Sequence, residues 1–310
     1  VIVTVTLNPA IDEEYVVPEF VPGGWFRATT TDRSPGGKGI NVSLVLKQLG
    51  YDSAAMGFLA GFNGEYVRDS LKRLGLTTNF VHIKGETRTN VYIVDEVGHV
   101  ETGIVEAGPY VKEEALARFM AYYRRLLKRA DCILFGGSLP PGVPQGIYRD
   151  LIVLARGEGV PTFIDAAGAP LMAGLEGAPT VAKVDHRFMS RLAGVRLSSL
   201  DNLIEVVSGL HDRGVEWAVT SYRNYGNVFS TPKGIYLGEY DRKGLVSLFG
   251  SDDALMAGLA LARTEKMDVE EAIRFSLACA WENSLHVEKG CRSREAVEEL
   301  VDRVHIEKLE

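Results

Sequence analysis

Cysteine is scarce in these 310 residues: Cys132, Cys279 and Cys291 are the whole set, an odd number with no close pair. Neither a disulfide framework nor a zinc cluster is expected from them, and three reduced thiols are. Long apolar runs are missing too, since nothing approaches the roughly 18 consecutive apolar residues of a membrane span. The start, VIVTVTLNPA, lacks the basic region and small-residue cleavage site of a signal peptide, so a cytoplasmic protein is expected. The 6 histidines show no HExxH spacing and no Ser/His/Asp grouping is recoverable, which leaves metalloprotease and serine hydrolase chemistry with little support. Basic residues are outnumbered, 34 against 41, for a net charge of −7. That balance disfavours nucleic acid or an anionic membrane as the main partner. An anionic small substrate would have to be held by local Arg, Lys and backbone N–H groups. Internal repeats, low-complexity stretches and Pro/Gly/Ser linkers are also absent, which favours one compact domain over 1–310 with a small β-appendage.

Apolar content of 46% and charged content of 24% are ordinary for a globular chain able to bury a full core. Through most of the sequence, β-type runs alternate with segments of helical period. VIVTVTL from Val1 is followed by GINVSLVLKQLG, DSAAMGFL and EYVRDSLKRLG; further on come ALARFMAYYRRLLKRA, CILFGGS, YRDLIVLARGEG, VPTFIDAAG, TVAKVD, LDNLIEVVSGLHDRG and VEWAVTSY. Such alternation predicts a mostly parallel sheet with helices on both faces and ligands outside the carboxyl ends of its strands. From Asp253 onward three helices are read. Two stretches, about 13–33 and 88–104, show short β alternations instead and predict a separate small sheet, the second turning near Gly98. A hairpin from Asn227, NVFSTPKGIYLGEY, is expected at the edge of the main sheet.

Several loops carry residues suited to ligand chemistry. Ser34-Pro35-Gly36-Gly37-Lys38-Gly39-Ile40-Asn41 opens the first strong helix, where free N–H groups and Lys38 would cradle an anion or a polyol; a tight turn bearing a lysine is the plainer alternative. It is not a Walker A loop, because no Gly-Lys-Ser/Thr follows a four-residue gap. Asp12, just past the first strand, could accept bonds from sugar hydroxyls or serve a turn. Gly136-Gly137-Ser138-Leu139-Pro140-Pro141-Gly142 follows the Cys132 strand in the same topological position. Arg88, entering the second β stretch, could close over a phosphate or make a surface ion pair. Asp165 follows a strand and would by itself be read as a turn residue. Phe249-Gly250-Ser251-Asp252-Asp253-Ala254 opens a helix, where N–H groups could hold a transferring phosphoryl group and a carboxylate could take a proton; by itself it reads as an ordinary N-cap.

Taken together and in this order, TLNPAID, SPGGKGIN, ETRTN, GSLPPGVP, the strand ending at Asp165 and the helix start at Asp253 resemble the ribokinase-like PfkB carbohydrate kinases. The 1-phosphofructokinase and tagatose-6-phosphate kinase branch is the most similar. That resemblance implies a three-layer α/β/α sandwich with a small β-sheet lid, and ATP-dependent phosphorylation of a phosphorylated ketohexose with Mg²⁺. It further implies Asp253 as the base and the N–H groups of Gly250, Ser251, Asp252 and Asp253 as an anion hole. Asp12, Gly37, Lys38, Asn41, Arg88, Asn90 and Ser138 would bind the sugar phosphate, with Arg88 and Lys38 on its phosphate. Lys183, Asp185, Ser221, Gly226 and Asn283 would bind the nucleotide. No side chain need ligate the metal directly, and the lid often also pairs subunits, so a homodimer is a further expectation.

On the nucleotide side the chain departs from the family. Gly-Ala-Gly-Asp becomes Gly250-Ser251-Asp252-Asp253, adding a Cβ and a negative charge beside the phosphates. Asp252→Gly is accordingly expected to relieve a crowded anion hole. Asn-x-x-Glu appears as Asp185-His186-Arg187-Phe188, and the loop Ser221-Tyr222-Arg223-Asn224-Tyr225-Gly226 is bulkier than the usual glycine-rich one. A second reading follows from this clustering: a sugar-phosphate-binding protein of kinase ancestry with little turnover.

Overall fold

A computed structural model describes residues 1–98, 100–185, 190, 199–223 and 225–309. β1 (Ile2–Thr6) is buried along its whole length, as a strand covered on both faces is. It lies between β4 (Ser53–Ala60) and β8 (Cys132–Gly136), parallel to both. Parallel pairing continues outward to β5 (Thr77–Ile83) on one side. On the other it runs through β9 (Thr162–Asp165) and β10 (Val181–Val184) to β11 (Trp217–Tyr222). Three antiparallel strands extend that side: β12 (Gly226–Thr231), β13 (Gly234–Glu239) and β14 (His305–Lys308). The result is a ten-stranded, mostly parallel sheet.

Helices cover both faces. On one lie α3 (Glu113–Leu127), α4 (Ile147–Gly157), α5 (Gly168–Glu176) and α6 (Leu200–Ser208), whose Phe119, Tyr148, Leu171 and Val207 pack with Val3 and Val5 of β1. The opposite face carries α1 (Lys38–Gln48), α7 (Ser251–Thr264), α8 (Val269–Ser284) and α9 (Arg294–Val301), with Val45, Leu255, Leu277 and Val297 packed around Ile2. In α4 the buried positions 147, 148, 151, 152 and 155 form the single apolar stripe of a helix with one covered face. The architecture is therefore a three-layer α/β/α sandwich. No helix among the described residues is long and apolar enough to cross a membrane.

A second sheet has the order β3-β2-β6-β7, from β2 (Ala10–Val17), β3 (Thr30–Gly36), β6 (Arg88–Asp95) and β7 (Val100–Val105). β2 runs parallel to β6 and antiparallel to β3, which leads straight into α1 through Gly37. α2 (Gly61–Arg73) packs beside it, with Val67 and Leu71 against Ile11 and Ile40.

Two edges differ from the sequence-based expectation. The hairpin from Asn227 forms β12 and β13 but is not the edge of the sheet, because β14 pairs with β13. The segment His305-Ile306-Glu307-Lys308 is largely exposed, so it has no apolar alternation to announce a strand. At the opposite edge, β5 is only partly buried and equally faint in pattern.

Candidate active site

The parallel strands deliver their chemistry at their carboxyl ends. Asp165 closes β9, Lys183 stands near the end of β10, and Ser221 near the end of β11. Facing them are the first residues of α1 and α7. Lys38 opens α1, and its ammonium lies 2.8 Å from Asp165 Oδ2 and 3.5 Å from Asp253 Oδ1. Asn41, one turn later, donates its amide to Asp253 Oδ2 at 2.7 Å. Three predicted site residues, Lys38, Asn41 and Asp253, thus form one cluster around a buried carboxylate, joined by Asp165, which the sequence alone offered only as a turn residue.

The electrostatics of that cluster are set by its burial. Asp253 has its pKa raised above the ordinary carboxylate value, first by burial and then by the neighbouring Asp165, against the opposing pull of Lys38 and Asn41. Burial disfavours charge on Lys38 too, but Asp165 and Asp253 outweigh it and hold the ammonium protonated. Asp253 Oδ1 is buried without a hydrogen-bond donor. A carboxylate oxygen left unbonded in such a site is placed to accept a proton from an incoming hydroxyl.

At the start of α7 the structure corrects the capping expectation. None of Ser251, Asp252 or Asp253 is the N-cap; Gly250 is, in a left-handed conformation with φ of 80° and no side-chain capping bond. The Ser251 N–H donates to Leu248 O at 3.2 Å. The N–H groups of Asp252 and Asp253 find no acceptor among the described residues, as the first turn of a helix leaves them. Asn283, at the end of α8, holds this turn from behind: it donates to Phe249 O at 2.9 Å and accepts from Gly290 N–H at 2.8 Å.

A second group forms on the second sheet. Asp12 lies within β2, 4% exposed, with Asn90 of β6 donating to its Oδ1 at 2.8 Å. Gly36 is its register neighbour but one, and a Cβ there would fall 2.2 Å from Asp12 Oδ2, so only glycine leaves the carboxylate its place. Gly37 has φ of 122°, a backbone conformation that side chains disfavour. Arg88 donates to Asn8 O and Glu106 O, and Asn8 donates to Ser138 Oγ at 3.2 Å. Burial lowers the pKa of Arg88 from its usual value.

The family model of the pfkB family carbohydrate kinases matches residues 6–288. The chain belongs to the pfkB family of carbohydrate kinases. It is 30% identical over 308 residues to a 1-phosphofructokinase of Bacillus subtilis, covering 99% of this chain and 100% of that one. To a tagatose-6-phosphate kinase of Staphylococcus epidermidis it is 29% identical, with 98% and 99% covered. A solved structure described as a possible 1-phosphofructokinase of Thermotoga maritima superposes with a TM-score of 0.90 at 32% identity, covering 100% of this chain and 99% of the other.

In this pfkB-family kinase the altered nucleotide side has its own internal logic. Asp252 lies inside α7 with ordinary helical backbone, so the left-handed freedom that its extra Cβ seemed to forfeit is required at Gly250 instead. Its charge is met by Lys183, 2.8 Å away and 3% exposed, which also donates to Ser221 Oγ at 3.4 Å. Burial opposes ionisation of Asp252, yet Lys183 and Lys38 hold its pKa below the ordinary value. The bulky loop after β11 packs on itself: Arg223, at φ of 57°, lies over the Tyr222 ring and donates to the Tyr225 hydroxyl. Phe188 and Asn224 lie outside the described residues. Gly226 begins β12, and Asp185 follows β10.

Lys289 was not singled out by the sequence. Its ammonium lies 2.6 Å from Asp12 Oδ2, 3.4 Å from Ser34 Oγ and 4.7 Å from the centre of the Phe249 ring. A lysine in a polar segment between two helices carries no motif, and its partner is 277 residues away. Glu282, inside α8, was not singled out either; it is fully buried and bonded by Arg292 and His286 just behind Asn283.

Proposed function

We propose that this kinase transfers the γ-phosphoryl group of ATP to a free hydroxyl of a ketohexose phosphate: fructose 1-phosphate, fructose 6-phosphate or tagatose 6-phosphate. The relatives named above support that substrate class. The observation that carries the mechanism is the unbonded, buried Oδ1 of Asp253 beside two N–H groups without acceptors. Asp253 takes the proton of the attacking hydroxyl, while those N–H groups meet the charge that develops on the phosphoryl oxygens. Lys38, fixed between Asp165 and Asp253, adds a positive charge at the same place. In-line transfer then requires positioning more than covalent chemistry.

Asp12 and Asn90 hold the sugar hydroxyls, Gly37 gives the backbone close approach, and Arg88 and Ser138 complete the acceptor pocket. Lys183, Asp185, Ser221, Gly226 and Asn283 line the nucleotide side. Asp252 is already paired to Lys183, so a divalent ion would be carried on the ATP phosphates rather than ligated by that carboxylate. Mg²⁺ bound there would neutralise phosphate charge. The second sheet acts as the lid that excludes water, the competing acceptor. Its edge strand β7 exposes Val100 and Ile104 on one face and Val105 on the other, a strand suited to pairing with a second copy.

A coupled assay of ADP release with Mg-ATP and each of the three sugar phosphates tests this reading, with Asp253→Asn as the blank. Turnover with one of them, abolished in the variant, is the expected result. Absence of turnover with all three would overturn it.

A further inference from the structure

The cations available to a phosphorylated acceptor do not match those that the motifs suggest. Lys38 already faces two carboxylates, at 2.8 and 3.5 Å, in the cluster around Asp253. Its charge is committed to the transfer end of the site. Arg88 remains near Asp12, held by two carbonyls, and is a single cation in an acidic setting. β2 contributes Asp12 and Glu14 and β7 contributes Glu101, and the pKa values of Glu14 and Glu101 are raised by burial and by neighbouring acids. A dianionic sugar phosphate entering there needs a second positive charge.

Lys289 supplies one. It faces Asp12, Ser34 and the Phe249 ring, and its charge is also felt by Glu14 and Glu101. Two of its three N–H donors are accounted for by Asp12 and Ser34, and its side chain is 14% exposed. We propose that Lys289 is a specificity-determining residue that binds the phosphate already present on the sugar, resting on the kinase reading above. With no sugar present it neutralises Asp12; with the acceptor bound, the ammonium bridges Asp12 and the phosphate. The cation is delivered by the segment between α8 and α9, not by the second sheet. Selection for a phosphorylated over a plain ketohexose therefore depends on a residue from a different element than the one that carries Arg88.

Lys289→Met keeps most of the side-chain volume and removes the charge, and Lys289→Arg restores a cation. Steady-state kinetics on wild type and both variants, with inhibition by unphosphorylated D-fructose measured in parallel, separate the possibilities. The expected result is a KM for the sugar phosphate raised roughly 10- to 100-fold in Lys289→Met, the scale of a lost charge-assisted bond. The inhibition constant for D-fructose should change less than about threefold, and Lys289→Arg should recover part of the loss. A merely structural brace would weaken both sugars alike, and that outcome overturns the proposal. An unchanged KM overturns it as well while leaving the kinase reading intact. Wild-type protein inert on all three sugar phosphates removes the kinase reading, and this proposal falls with it.

Discussion

Asp253 is under opposing demands. Burial holds its pKa above the ordinary carboxylate value, so ionisation is disfavoured by the fold, although the proposed role as base requires the ionised form. Two consequences follow from that sign. The acid limb of the kcat/KM profile, which reports the free enzyme, should lie at higher pH than an unperturbed aspartate would place it, and a limb at or below the ordinary value would contradict the assignment. A group with a raised folded pKa gives stability below its unfolded pKa that is lost as pH rises through the folded one. At pH 7 Asp253→Asn should therefore unfold at the same or a higher temperature than wild type, while kcat falls on the order of 10²-fold or more. Asp252 has the opposite sign: its folded pKa is lowered, so its contribution is present above the unfolded value and lost as pH falls through the folded one. Asp252→Asn, compared by thermal melts at pH 7 and near pH 3, should cost about 1 kcal/mol at the higher pH, the carboxylate being half exposed, and less at the lower. Since Lys183 depends on this carboxylate, Asp252→Gly is expected to destabilise the protein rather than simply open the anion hole.

The join between β3 and α1 carries the proposed sugar side of the site, because the same short segment brings Lys38 to Asp165 and leaves room for Asp12. Gly36→Ala should displace the Asp12 carboxylate, since its Cβ would fall within 2.2 Å of it. The expected effect is a KM for the sugar phosphate raised about tenfold or more, with a smaller change in the KM for ATP; equal changes would point to general misfolding. The helices and inner strands were legible from sequence because burial writes its period into them, as in α4 and β1. β14 and β5 were not, because a partly exposed edge strand needs no alternation. At the site, the glycines and Lys38 were legible as a local motif. Lys289 was not, since its function is fixed by a partner on another element.

For the whole molecule, the apolar residues on β7 predict self-association. Sedimentation equilibrium should show a dimer that Val100→Asp with Ile104→Asp reduces to a monomer; a wild-type protein monomeric at micromolar concentration would exclude pairing through the second sheet. The bonds that assemble the site also set its place in the folding sequence. Lys38 reaches Asp165 across 127 residues, Asn41 reaches Asp253 across 212, and Lys289 returns to Asp12 across 277. Contacts of such separation are costly to close and form late. During synthesis, β1 must wait for β8 to gain its second neighbour, and Asp12 must wait for the segment after α8. A nascent kinase can thus bury much of its sheet while the contacts that complete its site still wait for the last third of the chain.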